Sequence, residues 1–91
     1  MKRSRKRSLN DLERITQTFI KKKFGVERDQ IKVQGVMPYL RPKWSAFVVN
    51  GHFEDKKATT GFCVIVNIEG EVSGWTTSKE TVAALVGLRN W

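Results

Sequence analysis

Residues 44–68, WSAFVVNGHFEDKKATTGFCVIVNI, decide the fold. Two runs rich in Val, Ile, Phe and Thr flank the polar tetrapeptide EDKK at 54–57. β-Branched and aromatic residues favour extended backbone, and so short a connection makes the two strands antiparallel. Side chains alternate along a strand. Trp44, Ala46 and Val48 therefore face one way, and Phe47, Val49 and Phe53 the other. Phe62, Val64 and Val66 alternate in the same manner with Cys63 and Ile65. Both strands are apolar on both faces, and a monomer seldom exposes a large apolar patch. Either the sheet curls over its own core, or its second face meets a protein partner or another copy of the chain.

Downstream, EGE at 69–71 turns the chain and VSGW at 72–75 reads as a shorter strand. Residues 77–88 then read as a helix. Thr77 and Glu80 have the spacing of a capping box. Val82, Leu85 and Val86 form its apolar stripe, and Gly87 stands at its end. Upstream, MPYLRPK at 37–43 holds two prolines and is expected to be a loop. DQIKVQGV at 29–36 alternates at Ile31 and Val33 and reads as a strand. From Ser8 to Phe24 the period is helical, with Leu9, Leu12, Ile15, Thr16, Phe19 and Ile20 at steps of three and four. Ser8 is placed to cap this helix and Gly25 to end it. The expected fold class is α+β: an N-terminal helix, an antiparallel sheet of about four strands and a C-terminal helix, with the helices packed on one sheet face.

The formal net charge is +8. Residues 1–7 hold five basic side chains and no acidic one, whereas residues 24–91 carry eight basic against seven acidic groups. The expected organisation is a basic arm, 1–7, ahead of a single domain, 8–91. Such asymmetry suggests an arm that faces a polyanion. If the helix extends back towards Lys2, Arg3, Arg7, Arg14 and Lys21 fall within about 40° of one another, opposite Leu12, Ile15 and Phe19. A line of cations that long matches the close spacing of phosphates on nucleic acid. The alternative is a tail that only solubilises the chain, with lysines favoured at a helix C-terminus by the macrodipole.

Two further stretches suit nucleic acid. In PYLRPKW, Tyr39, Arg41, Lys43 and Trp44 interleave aromatic and basic groups, as stacking on bases and neutralising phosphates require. Trp44 is better suited to the core at a strand start, which leaves Tyr39 and Arg41 as the preferred contacts. In GEVSGWTTSKETVAALVGL, a strand and a Gly-containing turn lead into a helix N-terminus, a general anion site. This stretch resembles the C-terminal part of a double-stranded RNA-binding domain. Gly74, Ser78, Lys79 and the Ala83–Ala84 pair sit about where that family has its turn glycine, its Ser-Lys start and its small helix residues. The resemblance implies a phosphate contact for Lys79 alone. The chain departs from the family's pattern at Glu80 and Ala83, where further lysines are usual. It also has Gly51-His52 without the family's proline, and one strand too many.

The expected nucleic-acid contacts are thus Lys2, Arg3, Arg5, Lys6, Arg7, Arg14, Lys21, Lys22, Tyr39, Arg41, Lys43 and Lys79. His52 is the only histidine and has no ligand-spaced partners, so no metal or other cofactor is expected. Cys63, the only cysteine, reads as a buried thiol within an apolar strand. No Gly-rich phosphate loop or positioned nucleophile stands out, and no enzymatic activity is expected. No apolar run suits a membrane span, and no apolar segment follows the basic start, so no secretory signal is expected. The setting is expected to be reducing and cytoplasmic, or nuclear if the source is eukaryotic. The leading functional reading is a small nucleic-acid-binding accessory protein, with RNA slightly preferred over DNA. The second is a protein-interaction or inhibitor module that uses the apolar sheet face, of the kind mobile elements carry.

Overall fold

The computed structural model describes residues 9–40, 45–56 and 58–87. Helix α1, Leu9–Phe24, leads through a single 3-10 turn, Arg28–Gln30, into strands β1 (Ile31–Leu40), β2 (Ser45–Glu54), β3 (Thr59–Asn67) and β4 (Val72–Thr76). Helix α2, Lys79–Gly87, follows. The strands form one antiparallel sheet in the order β1-β2-β3-β4. The α+β class, with terminal helices around a four-stranded antiparallel sheet, is as the sequence implies.

The central hairpin sets the rest. Phe53 pairs with Thr60 and Val49 with Val64, so the apolar sets of β2 and β3 stay in register on each face. One face carries Ile31, Val49, Phe53, Phe62, Val64 and Val66, which pack with Leu12 and Ile20 of α1 and with Val26. The helical spacing puts Leu12, Thr16 and Ile20 on one side of α1, and all three are buried. Gly25 ends the helix in the left-handed region (φ 72°). Its N–H donates to the Lys21 carbonyl at 2.8 Å, which satisfies a carbonyl the helix would leave open.

The second face is covered too. Ala46, Val48 and Cys63 are all buried in the single chain. Helix α2 contacts β3, and Val82 Cγ1 lies 3.9 Å from where a Cβ on Gly61 would stand. Gly61 alternates with Phe62, which belongs to the α1 side. The helices therefore lie on opposite faces, and the expected placement of both on one face is corrected. A sheet apolar on both sides has two surfaces to remove from water, and one helix reaches only one. Gly61, without a side chain, leaves room for Val82 of α2.

Three local expectations also change. Residues 37–40 are not a loop but continue β1, with Pro38 opposite Phe47. β1 is an edge strand, where a residue whose nitrogen faces away from the sheet costs no ladder bond. A bulge between Val33 and Gly35 adds twist to that edge. At α2, Ser78 rather than Thr77 makes the cap, because its Oγ accepts the Thr81 N–H at 3.3 Å. The proposed Ser8 cap of α1 lies outside the described residues.

Thr16 is fully buried in the centre of α1's inner side. Its Oγ1 is the one buried side-chain oxygen or nitrogen among the described residues without a hydrogen-bond partner. An unsatisfied buried hydroxyl costs about 1–3 kcal/mol. Thr16→Val keeps the shape and removes the hydroxyl, so it is expected to stabilise the chain by about 1 kcal/mol in urea denaturation. A destabilised variant would mean that this oxygen does find a partner.

Candidate nucleic-acid interface

The outer side of α1 is set by the same periodicity that buries its inner side. Arg14 and Lys21, seven residues apart, fall within about 20° on the helix, and Lys22 lies beside them. All three are exposed. Two are paired with the chain's own carboxylates. Arg14 Nη2 donates to Asp11 Oδ1 at 2.9 Å, and Lys21 Nζ is 3.7 Å from Glu27 Oε1. Both pairs are open to solvent, where such contacts contribute little and exchange readily for another anion. Lys22 forms no ion pair among the described residues.

Lys23 was not among the expected contacts. The helical period puts its Cα on the inner side of α1, about 180° from Arg14. Its stem instead carries the ammonium outwards, to 4.7 Å from the centre of the Trp75 ring. Long charged side chains reach water along apolar surface in this way. Trp75 lies on β4, an edge strand, and remains 42% exposed. Phe24 meets it edge-on, with ring centres 5.6 Å apart and an interplanar angle of 83°. Phe19 is 6.3 Å away at 54°. Phe24 is in turn packed on Phe53, 4.9 Å between centres. The indole is thus packed on one side and open at another, with the Lys23 ammonium beside it.

The remaining expected contacts scatter. Tyr39 is on β1, opposite Ala46, and is half-buried. Counting strands and residues puts it roughly 17 Å from Trp75, at the far corner of the sheet. Lys79 is exposed in the first turn of α2, just past the end of β4. Lys2, Arg3, Arg5, Lys6, Arg7, Arg41 and Lys43 lie outside the described residues. The structure therefore gathers Lys21, Lys22 and Lys23 at one end of α1, and leaves Tyr39 away from them. Trp75 and Lys23 escaped the sequence reading because their contact joins two distant segments. The available signal was a tryptophan in a short strand with polar or glycine neighbours.

Cys63 is buried, and that burial pushes its thiol pKa up, which disfavours the reactive thiolate. Among the described residues no three His, Cys, Asp or Glu side chains gather to hold a metal ion. No described helix is long and apolar enough to cross a membrane.

Comparison of the chain with models of known protein families, with curated proteins and with solved structures finds no match. The fourth strand, which already set the chain apart from the double-stranded RNA-binding pattern, is present and paired with β3.

Proposed function

We propose that this chain is a small nucleic-acid-binding protein, RNA being slightly preferred over DNA, whose basic N-terminal segment and first helix contact phosphates. One observation carries the reading. The charge excess of the first 23 residues runs onto a helix whose solvent side presents Arg14, Lys21 and Lys22, away from the side that buries Leu12, Thr16 and Ile20. Exposed cations at helical repeats suit a row of phosphates, and the weak pairs to Asp11 and Glu27 are exchanged at small cost. Lys79 adds a further cation near the end of β4. The protein-interaction reading draws less support, because Ala46, Val48 and Cys63 on the second sheet face are buried within the single chain.

The test is a gel-shift series over single-stranded and duplex RNA and DNA at two salt concentrations. Binding is expected at low salt and should weaken steeply at the higher one, as counterion release requires. A chain that binds none of the four at low salt overturns the proposal.

A further inference from the structure

We propose that Trp75 is a stacking platform for an unpaired nucleobase, with Lys23 neutralising an adjacent phosphate, so that single-stranded nucleic acid is preferred over duplex. This rests on the nucleic-acid reading above and names its ligand class.

Three described large apolar side chains are exposed: Leu9, Ile68 and Trp75. Ile68 sits in the β3–β4 turn beside Glu69 and Glu71, whose N–H groups donate to Asn67 Oδ1 at 3.0 and 2.9 Å. Those carboxylates repel phosphate. Leu9 has no π face. Trp75 alone combines an open aromatic ring with a cation, Lys23, 4.7 Å from its centre. Lys23 forms no ion pair among the described residues. The ammonium is held at the ring by the quadrupole, a weak bond at an exposed site. It is therefore free to turn to a phosphate when a base takes its place. The edge-on Phe24 and the tilted Phe19 fix the indole from behind, so little side-chain freedom remains to be lost on binding.

Stacking selects between ligands. Every base has a π face, so an aromatic platform is tolerant of sequence. In a duplex those faces are already stacked, whereas in single strands they are accessible. A lysine-flanked indole on a sheet edge therefore adds affinity for single strands and none for duplex.

The full chain is titrated by fluorescence anisotropy against a labelled oligo-uridine and a duplex of equal length. Trp75→Leu keeps the apolar contact with Phe24 but removes the stacking face. It is expected to lose about tenfold in affinity for oligo-uridine and nothing for duplex. Trp75→Tyr, which retains an aromatic face, should keep most of the single-strand affinity. Unchanged oligo-uridine binding by Trp75→Leu, or an equal loss on both ligands, overturns the proposal while leaving the general nucleic-acid reading in place. A native chain that binds neither probe overturns both. Should Trp75→Leu fail to fold, the same question is put to a chain with Trp44 and Trp91 replaced by Phe. Quenching of the remaining Trp75 fluorescence by oligo-uridine and not by duplex supports stacking, and no quenching contradicts it.

Discussion

Replacing Gly51 by alanine is expected to abolish the cooperative unfolding transition of this chain. Gly51 is buried on β2, opposite Val33 of β1 and Phe62 of β3. A Cβ there would run into the Lys32 main-chain carbonyl and come within 3.0 Å of Phe62 Cζ. The carbonyl belongs to the strand ladder just before the β1 bulge, and Phe62 is fully buried, so neither neighbour has room to withdraw. Overpacking of a core commonly costs about 1–3 kcal/mol where side chains alone must adjust. Here backbone must move as well, so the loss is expected to reach at least about 3 kcal/mol, a large share of what a small domain has. Gly61→Ala is the control. Its Cβ would meet only the Gly51 carbonyl at 3.8 Å and Val82 Cγ1 at 3.9 Å, both ordinary contacts. It should leave stability within about 1 kcal/mol of the native chain, helped by the reduced freedom of the unfolded state. Urea denaturation followed by circular dichroism compares the two, and similar stabilities would contradict the packing described for the sheet.

The largest functional effect is expected from reversing α1's outer charges. With Arg14→Glu, Lys21→Glu and Lys22→Glu combined, affinity for any polynucleotide should fall by about a hundredfold or more at 0.1 M salt, since each lost phosphate contact there is worth nearly tenfold through counterion release. The loss must not come from unfolding. These side chains are exposed, and the reversal at Lys21 and Lys22 opposes the helix dipole by only about 0.3–1 kcal/mol per site. The corresponding Gln variants, which relieve most of that cost, should show an intermediate loss of binding with a native circular dichroism spectrum. Native affinity in the folded Glu variant would mean that α1 is not part of the contact surface.

How far the sequence disclosed this molecule depended on the range of each interaction. The β2–β3 hairpin was legible because alternation and turn length are local, and the observed register keeps Phe62, Val64 and Val66 with Val49 and Phe53. Helix α1 was legible for the same reason, down to its glycine stop. Pro38 misled, since the rule that excludes proline from strands is suspended at an edge, and position in a sheet is not a local property. The face chosen by α2 was hidden as well. Periodicity identifies Val82, Leu85 and Val86 as apolar but not the surface they meet. The contact that shows it, Val82 against Gly61, joins residues 21 apart in the chain. In the candidate site, the Arg14–Asp11 pair is three residues apart and could be read from spacing. The Lys21–Glu27 pair required the chain to turn at Gly25 first. The Lys23–Trp75 contact depended on the whole sheet being assembled beneath α1.

The central claim is that the five arm cations and α1 form one phosphate-binding surface. Its most direct test is the slope of log Kobs against log salt for duplex binding, measured for the native chain and for a variant with Lys2, Arg3, Arg5, Lys6 and Arg7 replaced by alanine. Each cation that meets a phosphate contributes about 0.9 to that slope, so the loss of all five should make the variant's slope shallower by about 4.5. Equal slopes and equal affinities in the two proteins would contradict the claim.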